Sequence, residues 1–424
     1  MKFIYKLLSL SLAIACLSGC SAANTEIASS SAATATVDPA TDSTEVPASN
    51  NVFTSAGDGL YVTTDSGIYE LQTVFPDSAN IFYTDANTKE RIFLCANPNC
   101  THADESCPSY IATPSAMFPP MLLRVGDQLL VVFTEATDSS NPHGMLMNMD
   151  GSNRRTVFEL ASNQYMQGGF CTSGNDLYFD LYEINDSGNV TYQLWYVSFE
   201  NGTSEKVMDL GSDSDHYSLC DGANNELCFN HVSSDGISYY MYNPQSKTIS
   251  DPFFVDSSVS GNSMIQDGYL FVLDEQASSV QRIRLSDKEQ ASASFTVKEG
   301  FGAPSMRYLF DGNLMITEAQ TTASDIPTDG SYGVCSYILD FGTRNCTEFT
   351  LQTPYNNRPV YVLTTIGDAC YVATDYKTYT PTSVSEDGTV SNFDYVANIY
   401  AFITKQDYIN SNQNGYSMVK DAFE

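Results

Sequence analysis

Three cysteines and one histidine lie close together in the segment FLCANPNCTHADESCPSY, residues 93–110. Cys95, Cys100, His102 and Cys107 follow the spacing C-x4-C-x-H-x4-C. Thiolate sulfur and imidazole nitrogen are ligands that zinc prefers, and three thiolates with one imidazole fill a closed tetrahedral site. We therefore expect these residues to bind a structural zinc ion, with no coordination position left for a substrate.

Two other states of these cysteines remain open. Outside the cytosol thiols tend to oxidise, which favours a disulfide such as Cys95 with Cys107 and one spare cysteine. The third state is a set of free, buried thiols. Elsewhere in the chain Cys171 and Cys370 have no cysteine nearby in sequence, and we expect both to be buried as small hydrophobic residues.

Four further cysteines flank two predicted turns. Cys220 and Cys228 lie on either side of Gly222-Ala223-Asn224-Asn225, and Cys335 and Cys346 lie on either side of Gly342. Each pair can face across a hairpin only if the strand register places the two residues opposite each other. The sequence leaves that register open.

The elements that position these residues are predicted to be strands. A Gly, Asp or Asn turn followed by an apolar run recurs seven times, at 57–61, 126–129, 174–178, 224–227, 267–270, 311–314 and 367–371. Most intervals are roughly forty to fifty residues, a period typical of propeller blades. The turn residues tolerate positive φ, and the apolar runs suit half-buried strands. We expect an all-β fold over residues 52–424, a β-propeller of seven antiparallel blades with the Cys/His segment inserted in the first.

One hairpin carries a family resemblance. Residues 146–158, LMNMDGSNRRTVF, resemble the strand-turn-strand "DGSN" unit of TolB-like and low-density-lipoprotein-receptor-like β-propellers. The repeat resemblance extends over roughly residues 52 to 420 and implies a propeller domain of a bacterial surface lipoprotein.

The N-terminal residues are typical of a signal peptide. Lys2 and Lys6 precede a short apolar stretch, residues 7–17, which cannot span a bilayer core of about 30 Å. The run Leu17-Ser18-Gly19-Cys20 resembles a bacterial lipobox. This resemblance implies removal of residues 1–19 and a diacylglycerol lipid anchor on Cys20, which places the chain on the outer face of the cell membrane.

Residues 20–51 follow the lipobox and contain few large apolar side chains but much Ser, Thr and Ala. Such a segment buries too little surface to offset the entropy of ordering, so we expect a flexible tether. The whole chain carries 51 acidic against 19 basic residues and a net charge of −32. Because nucleic acids are bound through Lys and Arg clusters, this charge excludes a nucleic-acid partner.

No standard catalytic motif occurs. The chain has no G-x-S-x-G, H-E-x-x-H or G-x-x-x-x-G-K sequence. We expect a non-enzymatic function, as a surface-anchored binding or scaffold module for a protein or glycan partner. The alternative is a carbohydrate-active or other extracellular hydrolase, whose carboxylates cannot be picked out among 51 acidic residues.

Overall fold

A computed structural model describes residues 53–55, 59–74, 78–113, 119–137, 139–234, 236–256, 262–320, 333–379, 382–384, 390–392 and 395–421. The chain divides into two units, Met1–Val46 and Pro47–Glu424, and every described residue belongs to the second. The predicted signal segment, the lipidation site Cys20 and the whole predicted tether lie outside the described residues. Among the residues described, no helix is both long and apolar enough to cross a membrane.

Antiparallel strands dominate the second unit, and we number the groups of paired strands as sheets 1 to 7. Strand β1 (Thr54–Ser55) pairs with β11 of sheet 3. Sheets 1 and 2 consist of β2 (Tyr61–Thr63), β3 (Gly67–Val74), β4 (Ser78–Asp85), β5 (Arg91–Phe93) and β6 (Tyr110–Ala112), and of β7 (Met121–Val125), β8 (Gln128–Phe133), β9 (His143–Asn148) and β10 (Arg155–Glu159), respectively. Sheets 3 and 4 consist of β11 (Gln164–Ser173), β12 (Asp176–Ile184), β13 (Val190–Ser198) and β14 (Thr203–Ser212), and of β15 (Asp215–Ala223), β16 (Glu226–Ser233), β17 (Gly236–Asn243), β18 (Thr248–Ile249) and β19 (Phe254–Asp256), respectively.

The remaining strands are, in sheet 5, β20 (Ser263–Gln266), β21 (Tyr269–Asp274), β22 (Ser279–Arg284) and β23 (Gln290–Ser294); in sheet 6, β24 (Phe301–Tyr308), β25 (Leu314–Gln320), β26 (Val334–Asp340) and β27 (Asn345–Phe349); in sheet 7, β28 (Val362–Ile366), β29 (Ala369–Tyr379), β32 (Tyr395–Thr404) and β33 (Ser417–Met418); and in a separate hairpin, β30 (Thr382–Val384) and β31 (Val390–Asn392). One short helix, α1 (Lys405–Ile409), follows β32. Sheets 3 and 4 join through the pairing of β14 with β15. No sheet closes on itself among these strands.

Central strands of the sheets are buried on both faces. In β8 the side chains of Leu129 and Val131 pack toward sheet 1, whereas Leu130 and Val132 pack toward sheet 3. Because successive side chains of a strand point to opposite faces, a continuous apolar run supplies two cores at once. This explains why the apolar runs behind the turns are continuous rather than alternating with polar residues.

Hydrophobic clusters join each sheet to the next in chain order. Clusters lie between sheets 1 and 2, 2 and 3, 3 and 4, 4 and 5, 5 and 6, and 6 and 7. A further cluster joins the last sheet to the first, where Ile68 of β3 packs with Tyr371, Tyr400 and Phe402. The interfaces between sheets therefore run in a cyclic order.

Polar contacts reinforce the interface between sheets 7 and 1. The hydroxyl oxygens of Thr63 and Thr364 lie 2.9 Å apart, and the Tyr400 hydroxyl donates to the carboxylate of Glu70. Lys420, just beyond β33, forms a parallel bridge with Glu90 next to β5. The chain end thus pairs with sheet 1 directly after β33 has paired with sheet 7.

Six of the seven predicted turns connect the first two strands of a sheet. Each of the six contains a residue with positive φ, namely Gly126, Gly174, Asn224, Asp267, Asp311 and Gly367. The first predicted turn does not join two strands of a hairpin. Gly59 precedes β2, and the turn between β2 and β3 is residues 64–66. The predicted all-β class is confirmed.

Candidate functional site

The Cys/His segment connects two strands that pair with the same neighbour. β5 pairs with the C-terminal half of β4, and β6 pairs with the N-terminal residues of β4. The segment leaves β5 at Leu94, whose N–H donates to the carbonyl of Ile81 at 2.9 Å. It returns through Ser109, whose carbonyl accepts from the N–H of Ile81 at 2.8 Å. The insertion is therefore fixed to sheet 1 at both of its ends.

Tight turns bring the four predicted ligands together. Asn99 and His102 have φ values of 67° and 57°, in the left-handed region where the chain reverses. The N–H of Cys100 donates to the carbonyl of Asn97 at 3.4 Å, and the N–H of Cys107 donates to that of Asp104 at 3.0 Å. These local turns fold the segment back on itself.

The ligand atoms of Cys95, Cys100, His102 and Cys107 all lie within 4.8 Å of one another. His102 Nδ1 is 3.2 Å from Cys107 Sγ. In a tetrahedral zinc site with Zn–S bonds near 2.3 Å and Zn–N bonds near 2.0 Å, ligand atoms are about 3.5 to 3.8 Å apart. The four side chains thus have the donor set and the spacing for such an ion.

The surroundings favour a thiolate at Cys107. Burial alone would raise the pKa of this thiol, but interactions with Ser109 and His102 outweigh burial and lower the pKa to about 6. Ser109 Oγ lies 3.1 Å from Cys107 Sγ and donates to Asn80 Oδ1. Burial, with hydrogen bonding to the two other cysteines, raises the pKa of Cys95 to about 11. Of these two thiols, Cys107 is therefore the one that favours the thiolate form.

Packing fixes the imidazole of His102. Its ring stacks on that of Phe93 in β5 with centroids 4.0 Å apart and planes 8° apart. The stacked ring presents Nδ1 to Cys107. Orientation of an imidazole by a neighbouring group is common in metal sites, because it fixes which nitrogen meets the ion.

Every described cysteine is a free thiol, so the disulfide between Cys95 and Cys107 is not formed. Strand register excludes a pair of Cys335 with Cys346, which the sequence left open, since Cys346 pairs with Leu339 while Cys335 pairs with Glu318.

Cys220 and Cys228 do not face each other either. A β-bulge lies at this point, where Cys228 pairs with Asp221 and the register skips Cys220. Cys171 and Cys370 are fully buried in hydrophobic clusters, as expected.

A contact with sheet 2 was not apparent from the sequence. Arg154, in the predicted DGSN hairpin, donates through its guanidinium to the carbonyls of Pro108 and Tyr110. Gly151 of the same turn packs so closely on Pro108 that a Cβ there would lie 2.6 Å from the Pro108 carbonyl oxygen. The sequence predicts the turn that contains Arg154, but no residue near it in the sequence indicates that this arginine contacts another sheet.

An open cleft of about 610 Å3 lies between sheets 5 and 6. Its walls are Tyr337, Cys346 and Glu348 of sheet 6, the last residue of β23, Ser294, and the connection that follows it, residues 295–299. Glu318 is fully buried beside this wall, and one of its carboxylate oxygens, Oε1, has no hydrogen-bond partner. Its other oxygen accepts from the N–H of Lys298 at 3.1 Å.

Comparison with known proteins finds no matching family model and no matching curated sequence. Among solved structures, puromycin hydrolase in its S511A form is 11% identical, with a TM-score of 0.44 over 84% of this chain and 58% of that one. An oligogalacturonate lyase from Vibrio parahaemolyticus is 10% identical, with a TM-score of 0.38 over 82% and 91%. Tricorn protease is 10% identical, with a TM-score of 0.31 over 81% of this chain and only 35% of its own.

These likenesses concern β-rich folds and bring no substrate to this chain. Each of these neighbours is named as an enzyme, which runs against the predicted main function as a binding or scaffold module. The prediction rested on missing sequence motifs. Carboxylates on separate strands leave no such motif, so its absence did not exclude catalysis.

Proposed function

We propose that Cys95, Cys100, His102 and Cys107 hold a structural zinc ion that fastens the insertion between sheets 1 and 2. The observation that carries this proposal is the convergence of all four ligand atoms within 4.8 Å. Four protein ligands complete a tetrahedral shell, so the ion stabilises the fold and does not activate water. For the fold we propose a seven-bladed β-propeller, which the cyclic order of the interfaces between the seven sheets supports.

The test is the zinc content of protein purified without oxygen. We expect one zinc per chain, lost in His102→Ala and Cys107→Ser. His143→Ala is the matched control, because His143 also stacks on a phenylalanine, Phe133, with centroids 4.4 Å apart, but lies outside the cluster. A zinc content below one tenth per chain, with a crosslink among the three cysteines seen by mass spectrometry, would refute the metal centre.

We also propose that Cys20 carries the lipid anchor and that the chain works on the outer face of a bacterial membrane. The support is the lipobox-like run that ends at Cys20, behind a short apolar segment. Cys20→Ala should move the protein from the membrane fraction to the soluble fraction or leave its precursor unprocessed. Unchanged membrane association without lipid on the mature N-terminus would contradict this.

For the molecular activity we propose hydrolysis, with the cleft between sheets 5 and 6 as the active site. The specific support is an open cleft lined by Glu299 and Glu348, with the fully buried carboxylate of Glu318, one oxygen of which has no partner, behind its wall. A buried acceptor without a partner costs about 1–3 kcal/mol, a cost that functional sites tolerate. The test is a screen of the purified protein against chromogenic esters, peptides and glycosides. Absence of turnover in every one of these three classes would exclude the proposal.

A further inference from the structure

We infer that Cys95 and Cys100 form a redox-sensitive site, at which a peroxide joins the two sulfurs in a disulfide and zinc is released; this inference rests on the zinc centre proposed above. The two residues lie on the solvent side of the cluster, since both are half-buried whereas Cys107 is fully buried. The residues between them, 96–99, are all exposed. A small oxidant can therefore reach these two sulfurs without opening a sheet.

A local turn holds these two cysteines close together. The N–H of Cys100 donates to the carbonyl of Asn97 at 3.4 Å, and Asn99 has a φ of 67°, so the chain reverses between the two cysteines. Their sulfur atoms lie within 4.8 Å of each other, like the other ligand atoms of the cluster. A disulfide bond is about 2 Å long, so rotation of the side chains and a small shift of the exposed loop bring the sulfurs into bonding distance.

Cys107 is less accessible to an oxidant. Its sulfur contacts Ser109 Oγ at 3.1 Å and His102 Nδ1 at 3.2 Å. Ser109 is itself fully buried and donates to Asn80 in β4. Cys107 is thus enclosed by polar contacts with the body of sheet 1, so an oxidant reaches the two half-buried sulfurs first.

The reaction balances with hydrogen peroxide as the oxidant. One of the two sulfurs attacks the peroxide and gains one oxygen as a sulfenic acid, while the other oxygen leaves as water. The second sulfur then attacks the first, so the S–S bond forms, the S–O bond breaks and a second water leaves. The two sulfurs together lose two electrons, which the peroxide takes up with two protons from the solvent.

Formation of this disulfide removes two of the four proposed zinc ligands. His102 and Cys107 alone do not complete a tetrahedral shell, so the protein no longer retains the ion. The return side of the insertion, residues 101–106, is exposed except for His102, whose ring stacks on Phe93. Without a shared ion, this side loses its link to residues 95–100. We expect the return side to loosen, whereas the disulfide keeps the first side closed.

The experiment uses the full chain, purified without oxygen and loaded with zinc. Hydrogen peroxide should release about one zinc per chain, measured with a chromogenic chelator, and mass spectrometry of peptides should locate a disulfide between Cys95 and Cys100. Amide exchange of residues 101–107 should accelerate by about tenfold or more, and a thiol reductant with added zinc should reverse this change. The control Cys346→Ser removes an exposed cysteine outside the cluster and should leave zinc release unchanged.

The disulfide can also be tested without the ion. In metal-free protein Cys107→Ser should still form the disulfide, whereas Cys100→Ser should not. Zinc that stays bound after peroxide treatment, or a disulfide that includes Cys107, would overturn the inference and leave the zinc centre in place. Absence of zinc before any oxidant is added, with all three cysteines still reduced, would instead refute the zinc centre on which the inference rests.

Discussion

Asp180 is a buried carboxyl group that connects two sheets. It lies in β12 of sheet 3 and accepts the N–H of Leu219 in sheet 4 at 3.1 Å and that of Gly169 at 3.2 Å. Burial raises its pKa to about 7, although both backbone hydrogen bonds act in the opposite direction. Burial also raises the pKa of nearby Cys171 and Cys220, so these thiols remain neutral in the range where Asp180 titrates.

This raised pKa predicts a pH dependence of stability. Between about pH 4 and pH 7 the folded chain holds a proton on Asp180 that the unfolded chain releases. The free energy of unfolding should therefore fall as the pH rises through this window, by a few kcal/mol from this group. Asp180→Asn removes the titration and should flatten the fall, which urea unfolding at pH 4.5 to 8 can measure.

The amide of this variant cannot accept both N–H groups, so Asp180→Asn should be less stable than the wild type near pH 4.5, by about 1–3 kcal/mol. The exposed Asp186→Asn in the β12–β13 turn is the control and should keep the wild-type profile. An identical pH profile in Asp180→Asn and wild type would show that Asp180 ionises normally.

At the scale of elements, the Cys/His insertion depends on the neighbouring hairpin as well as on its own ligands. The guanidinium of Arg154 is held between the carbonyls of Pro108 and Tyr110 and the carbonyl of Gly151 in its own turn. A planar donor that bridges two loops fixes their relative position more firmly than a flexible ammonium group does. The hairpin of sheet 2 thus holds the return side of the insertion.

Loss of this contact should loosen the insertion without removing a residue of the proposed zinc site. Arg154→Met should lower the free energy of local opening by about 1.5–3 kcal/mol, because charge-assisted hydrogen bonds to two carbonyls disappear. Amide exchange of residues 95–110 should accelerate accordingly. Arg155→Met, one residue further along and exposed, should leave this exchange unchanged. Equal exchange in the two variants would mean that the ligands alone hold the insertion.

Local chemistry explains which elements the sequence predicts well. The turn at Gly174 needs only a residue that accepts positive φ between two apolar runs, and both signals are adjacent in the chain. The turn at Gly59 has the same composition but is not a hairpin, because strand pairing decides the register. The four residues of the proposed zinc site could be grouped from the sequence for the same reason, since all four lie in one short segment.

The residues around the cleft between sheets 5 and 6 could not be predicted from the sequence. Glu318, Glu348 and Lys298 come from two strands and from the connection between two sheets, and their neighbours in sequence give no motif. The relevant pattern is the pairing of each glutamate with β26, which exists only once the register is formed.

At the scale of the whole molecule, a buried cation in sheet 1 contacts the residues that follow sheet 7. Arg91 of β5 is fully buried, bonds Glu70 through Nη2 at 2.9 Å and Asp421 through Nη1 at 3.1 Å, and stacks over the ring of Phe82 at 3.7 Å. Glu70 raises the pKa of Arg91 further against the opposing effect of burial, so the cation stays charged. Residues more than three hundred positions apart are thereby joined, which no local pattern could indicate.

Removal of residues 419–424 should therefore affect both sheet 1 and sheet 7. It deletes Asp421, the backbone bonds of Lys420 to Lys89 and Arg91, and the bond of Val419 to Tyr400. A buried cation that loses a partner costs about 3–5 kcal/mol. We expect the free energy of unfolding to fall by that order, and amide exchange to accelerate in β5 of sheet 1 as well as in β32 of sheet 7.

The matched control removes only residues 422–424 and keeps Asp421, so it should retain wild-type stability. An open row of sheets and a closed ring predict different exchange patterns for the longer truncation. In an open row the chain end only covers an edge, and the loss would remain within β32 and β33. In a ring the same cut separates sheet 7 from sheet 1, so the cluster around Ile68 and Tyr371 gains solvent on both sides. Faster exchange confined to sheet 7 would therefore refute closure through the chain end.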